Sequence, residues 1–114
     1  FIHMQDVSDA TLRIMEQAPS GEIFHIATKD SITIRNLVEM ICELMNVNFE
    51  DHVDVAEERL GKDSAYLLDS TKIRNTLGWQ DQVSLKDGIS AVIDWIDKNF
   101  DTLKEQPTDY VHKA

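Results

Sequence analysis

With 114 residues and 42% apolar side chains, the chain can supply one domain with a modest core, or one part of a larger domain. No run of about twenty apolar residues exists, which excludes a membrane-spanning helix. A net charge of −10 and a pI near 4.6 argue against nucleic acid, whose binders carry basic patches, and no basic amphipathic stretch points to a membrane surface.

Cys42 is the only cysteine, so no internal disulfide can form and a reducing cytoplasm is the expected setting. It falls on the apolar side of a predicted helix, which favours a buried thiol over a reactive one. The opening at Phe1, without an initiator Met and directly onto patterned sequence, is expected of a piece of a longer polypeptide.

In chain order, Phe1 to Met4 reads as a short extended lead-in. Asp6 or Ser8 is expected to cap the helix that follows, since either side chain can accept early backbone N–H groups. Val7, Ala10, Ile14 and Ala18 recur at helical spacing, and Pro19-Ser20-Gly21 stops the helix. Glu22 to Ile26 is β-prone and reads as a buried strand, with His25 a partly buried structural residue. Thr33 opens a second helix whose inner face is Ile34, Leu37, Val38, Ile41 and Met45, with Asn46 at its C-terminal cap.

Val53 and Val55 alternate with polar neighbours and predict another short strand. Asp69 or Ser70 then caps a brief helix holding Ile73 and Leu77, Gly78 ends it, and Trp79 packs behind it. Ser84 and Asp87 form a capping-box-like pair at the start of the last helix, whose inner face is Leu85, Ile89, Val92, Ile93, Ile96 and Phe100. Trp95 lies at the edge of that stripe. Periodicity fades from Lys104, so residues 104–114 read as a loosely held tail after a lobe spanning 1–103. Four helices and two or three short strands make a small α/β layer, too few strands for a complete doubly wound sheet.

Chemistry is sparse. Gly21, Gly61, Gly78 and Gly88 are too widely spaced for a phosphate-cradling glycine motif. His3, His25, His52 and His112 lack metal-ligand spacing, and neither Tyr66 nor Tyr110 has a lysine four residues later. No catalytic residue, cofactor site or metal site is expected within these residues. One stretch stands out. From Phe49 to Asp69 there are seven carboxylates and only two full cations, Arg59 and Lys62, with Gly61 between them. In so acidic a chain a bound phosphate must be met by a local cationic pocket. Arg59 can offer a planar fork, and glycine lets backbone approach a ligand closely. A solvated surface loop with a glycine turn is the competing reading.

Three ordered segments carry a resemblance. Phe1-Ile2-His3-Met4-Gln5-Asp6-Val7 is similar to F-I-H-V-x-D-V, and Gly21-Glu22-Ile23-Phe24-His25-Ile26 is similar to G-E-x-Y-N-I. Arg59-Leu60-Gly61-Lys62-Asp63, followed by Tyr66, Asp69, Lys72-Ile73 and Leu77-Gly78-Trp79, is similar to R-P-G-H-D-R-R-Y-A-x-D-x-S-K-I-x-x-x-L-G-W. From Phe1 to about Phe100 the chain resembles the C-terminal substrate-binding part of the extended short-chain dehydrogenase/reductase family, the NAD-dependent nucleotide-sugar epimerases and dehydratases.

The resemblance implies a lobe of a Rossmann-type enzyme, dTDP-glucose 4,6-dehydratase-like, whose dinucleotide-binding half and Tyr-x-x-x-Lys lie elsewhere. The parent would use NAD to oxidise a sugar carbon, eliminate water, invert a centre or decarboxylate, and return the hydride. Its partners would be a nucleotide-sugar substrate and the missing half, through which a homodimer would form. Carried over residue by residue, Arg59 contacts the diphosphate and Asp63 contacts ribose or the loop, while Glu58, Leu60, Gly61 and Lys62 line the same stretch. Leu60 stands where the family has proline, Lys62 where it has histidine, and Ser64-Ala65 where many dehydratases have two arginines. Asp6 reads as structural, not catalytic. A non-catalytic acidic module for protein interaction, or a free-standing small α/β protein, is the alternative.

Overall fold

The computed structural model describes residues 1–56, 61, 63 and 65–107. Among them five helices form: α1 Met4–Gln17, α2 Ile34–Leu44, α3 Phe49–His52, α4 Thr71–Leu77 and α5 Leu85–Lys104. None is long and apolar enough to cross a membrane.

The helix ends follow local chemistry. α1 begins at least three residues earlier than expected, because His3 in extended conformation accepts the N–H of Gln5 on Nδ1 at 3.2 Å. Neither expected cap is used. Ser8 sits inside the helix and donates to the Met4 carbonyl, and Asp6 is buried and engaged elsewhere.

Thr33 caps α2 through Oγ1, which accepts the N–H of Asn36 at 3.2 Å. α2 closes with Asn46 in the left-handed region (φ 54°), while the Val47 N–H reaches the Cys42 carbonyl and the Asn46 N–H the Glu43 carbonyl. That pair of bonds is the Schellman arrangement.

Asp69, not Ser70, caps α4 by its side chain, taking the Thr71 N–H at 2.8 Å. Gly78 ends α4 at φ 62° with its N–H on the Arg74 carbonyl. Ser84 opens α5 by accepting the Asp87 N–H at 3.1 Å, and its hydroxyl donates to the Asp87 carboxylate at 2.6 Å.

The buried core is Ala10, Ile73, Leu77 and Trp79, with Ile2, Ile14, Ala18, Phe24 and Ile26 packed around it. It therefore lies between α1, α4 and the segment that joins α1 to α2. A second group, α2 with α3 and α5, packs side by side. Gly88 joins the two groups, since a Cβ there would lie 3.2 Å from the His3 ring. Cys42 is buried and reduced, as its helical position implied.

No strand forms among the described residues, in place of two or three. Glu22 to Ile26 forms no regular element but keeps the period-2 pattern, with Phe24 and Ile26 half-buried, while Ile23 is 75% exposed and His25, expected to be partly buried, is also exposed. A strand needs a neighbour to complete its ladder, and none of the described residues supplies one.

Val53 is extended, and Val55 is 77% exposed, again without a partner. The short helix α3 just before them went unforeseen, because Phe49–His52 is a single turn with too few residues to show a period. The apolar faces of α2 and α5 also fill only partly. Leu37, Ile41, Ile89 and Ile93 are half-buried, whereas Ile34, Met45, Val92 and Phe100 stay exposed.

Candidate functional site

The loop between α3 and α4 carries the predicted ligand contacts. Of these, Gly61 and Asp63 fall within the described residues, both exposed, whereas Glu58, Arg59, Leu60 and Lys62 lie outside them. Gly61 has φ 78°, a left-handed backbone that side-chain-bearing residues rarely adopt, so glycine is needed here for the turn. Tyr66, Leu67 and Leu68 are exposed, and Ser70 is buried at the head of α4.

What holds the end of that loop is a residue the sequence reading passed over, Arg74. Its guanidinium lies over the Trp79 ring at 4.8 Å. Nε donates to Ser70 Oγ at 3.0 Å, and Nη2 donates both to the Ala27 carbonyl at 2.9 Å and to Asp81 Oδ1 at 2.5 Å. The Arg74 side chain is only 11% exposed. A planar fork is suited to this task because it can donate in three directions while stacking on an indole. The arginine ties together the loop's far end, the chain leaving the Phe24 segment, and the turn before α5. The spacing of Ser70, Arg74 and Asp81 was the available signal, with arginine one helical turn beyond a serine and an acid beyond the helix end.

Asp6 makes a second tie, across the chain. Its Oδ1 accepts the Gln82 N–H at 2.9 Å and its Oδ2 the Val83 N–H at 3.1 Å, while its own carbonyl accepts the Trp79 indole N–H at 3.3 Å. The role of Asp6 is thus structural, as expected, but as a clamp on the turn before α5 and not as a helix cap. Trp79 is fully buried, which agrees with its reading as a core residue and leaves no face for a ligand.

Nearer the surface, Lys72 donates to Glu22 at 2.6 Å and to the Ile23 carbonyl at 2.9 Å, with its ammonium over the Phe24 ring. The Lys72 hydrogen bond first, and then its charge, hold the Glu22 carboxyl below its usual value. Thr71 does the same for Asp69, through its side chain first and then its backbone N–H.

No group of three potential metal ligands occurs among the described residues. NAD does not fit them either. Gly21 and Gly78 follow helix C-termini, Gly88 is buried inside α5 against His3, and Gly61 is in an exposed loop. None opens the N-terminal end of a helix, where a dinucleotide pyrophosphate would be held. The described surface does contain an open apolar trough of about 1040 Å³ between α2, α5 and the start of α1. Gly61 and Asp63 do not line it.

Residues 1–92 match the sequence profile of the GDP-mannose 4,6 dehydratase family. The dTDP-D-glucose 4,6-dehydratase of Bos taurus is 30% identical over 109 residues, covering 91% of this chain and 30% of that protein. GDP-L-fucose synthase 1 of Arabidopsis thaliana is 33% identical over 99 residues, covering 87% of this chain and 30% of that protein. Among solved structures, dTDP-glucose 4,6-dehydratase from Streptomyces venezuelae with NAD bound superposes with a TM-score of 0.79 at 29% identity. That superposition covers 89% of this chain and 31% of the other. The chain spans less than a third of the length of each of these relatives.

Proposed function

The chain belongs to the GDP-mannose 4,6 dehydratase family, and from that premise we propose that it is the nucleotide-sugar-binding lobe of an NAD-dependent epimerase or dehydratase, inactive by itself. The supporting observation is the ordered match of about nine-tenths of the chain to enzymes three times its length. Residues 1–103 form the lobe in this reading, and 104–114 form a tail beyond it. The parent is cytoplasmic and acts on a nucleoside-diphosphate hexose, with dTDP-glucose 4,6-dehydration as the reaction of its relatives that suits it best. NAD is held by the part of the parent outside these residues.

Within the lobe, Arg59 grips the diphosphate and Asp63 bonds the ribose or steadies the loop. Glu58, Leu60, Gly61 and Lys62 line the same contact. The physical basis is charge-assisted, bidentate pairing of guanidinium with phosphate, which contributes roughly 1.5–3 kcal/mol. The left-handed turn at Gly61 supports the reading, since it lets the loop backbone approach a ligand. Arg74 and Asp6 act at one remove, by fixing the segments from which that loop is hung.

Sequencing the parent gene upstream of Phe1 tests the assignment. A G-x-x-G-x-x-G turn and a Tyr-x-x-x-Lys are expected there, and the absence of both leaves the acidic interaction module as the better reading.

A further inference from the structure

The trough between α2 and α5 fits neither the proposed phosphate loop nor a finished surface. Its walls include Leu37, Ile41, Ile89, Val92, Ile93 and Ile96, and its volume of about 1040 Å³ is at the top of the range for small-molecule pockets, roughly 300–1,000 Å³. Phe1 and Met4 line its rim and are 63% and 69% exposed. Val92, Trp95 and Ile96, all on its lining, are 51%, 55% and 39% exposed, as expected of a face left for another element to cover.

We infer that this trough is the seat of an amphipathic helix from the part of the parent polypeptide outside these residues, and is separate from the nucleotide-sugar site. The inference rests on the reading of the chain as one lobe of a larger enzyme. Three observations favour a helix from the same polypeptide. The relatives are more than three times as long as the matched stretch, so two thirds of such a polypeptide remain to be placed. The trough is lined mostly by apolar residues, from α2, α5, the start of the chain and segments 28–32 and 81–84, with no strand edge among the described residues, so an occupant's backbone must bond itself. Two turns of helix, ~11 Å long and ~10–12 Å across, occupy roughly 850–1,200 Å³, which matches the space. A helix laid there completes a three-helix packing with α2 and α5 and buries the side of α5 that Val92 and Ile96 leave open.

The test is thiol labelling of Val92→Cys in the 114-residue chain and in the intact parent. Cys42, which is buried, serves as the slow internal reference, and Asp97→Cys on the exposed side of α5 serves as the fast one. The thiol introduced at position 92 is expected to label fast in the isolated chain and at least ten-fold more slowly in the parent, at every protein concentration. The thiol at position 97 should label fast in both. Equal rates at position 92 in the two proteins overturn the inference. So does protection that appears only as concentration rises, because the occupant is then a second copy. Protection at position 92 that a nucleoside diphosphate sugar induces also overturns it, since the trough is then part of the substrate site. The same labelling of the V92C parent carrying Arg59→Ala separates the two proposals: position 92 stays protected whether or not that substitution weakens nucleotide binding.

Discussion

Asp6 and Trp79, 73 residues apart, meet through the indole N–H on the Asp6 carbonyl at 3.3 Å, while the Asp6 carboxylate takes two backbone N–H groups just beyond Trp79. One turn of α1 is thereby fixed to the segment between α4 and α5. Both residues are buried, Asp6 at 3% exposure and Trp79 at 0%, so the contacts are made away from water, where such bonds count most.

Removing the carboxylate leaves two N–H groups without their acceptor. Asp6→Ala is expected to destabilise the chain by about 2–4 kcal/mol, and Asp6→Asn by less, since its amide oxygen can still accept one bond. Urea unfolding midpoints measure this. An Asp6→Ala midpoint equal to the wild type contradicts the clamp.

Trp79 supplies the largest buried side chain of the core. Truncation to alanine is expected to cost about 3–5 kcal/mol, and Trp79→Phe less because part of the ring volume remains. Thermal unfolding followed by circular dichroism reads both. If the two variants prove equally stable, volume is not what Trp79 contributes.

Arg74 and Asp81 form a half-buried pair within a larger network. Arg74→Lys keeps the charge but loses the fork that reaches Ser70, Ala27 and Asp81 together. It is expected to lose most of the stability that Arg74→Ala loses, about 2–4 kcal/mol. A double-mutant cycle of Arg74→Ala with Asp81→Ala should return a coupling of about 1–2 kcal/mol. Full rescue by lysine refutes the account of a planar fork.

Acid sensitivity follows from Lys72 and Glu22. The folded state holds Glu22 below its ordinary 4.5, so it binds fewer protons there than the unfolded chain does. The stabilisation is complete above pH 4.5 and is lost as pH falls through the lowered folded value. Glu22 is solvent-exposed, so the effect is small and screened by salt. The gap in unfolding midpoint between wild type and Lys72→Met should be widest at neutral pH and close in acid. A gap independent of pH assigns the role of Lys72 to its bond with the Ile23 carbonyl and its packing on Phe24 instead.

How much of this was legible in the sequence depended on range. Thr33, Ser84, Gly78 and Asn46 act through neighbours within a turn, and their caps could be read from residue type and spacing. His3 was missed as a cap because histidine is not among the usual capping side chains. The Asp6 clamp spans the whole fold, and no local pattern announces which distant N–H a buried carboxylate will take. The strand expected at Glu22 to Ile26 shows the other limit. Its alternation is real, but a ladder needs a second strand, and that is a property of a neighbour. The apolar stripe of α5 was likewise read correctly as a stripe, yet what it faces is an open trough. For the candidate site, Gly61 and Asp63 could be placed on an exposed loop, while Arg59 rests on its chemistry and on the ordered resemblance.

The most direct test of the account is the effect of Arg59→Ala in the intact parent enzyme, measured as KM and kcat for its nucleoside-diphosphate sugar. Loss of one charge-assisted phosphate contact, roughly 1.5–3 kcal/mol, predicts a KM higher by about ten- to a hundred-fold, with kcat little changed and partial recovery in Arg59→Lys. A KM unaltered by Arg59→Ala would contradict the assignment of this lobe's loop as the diphosphate grip.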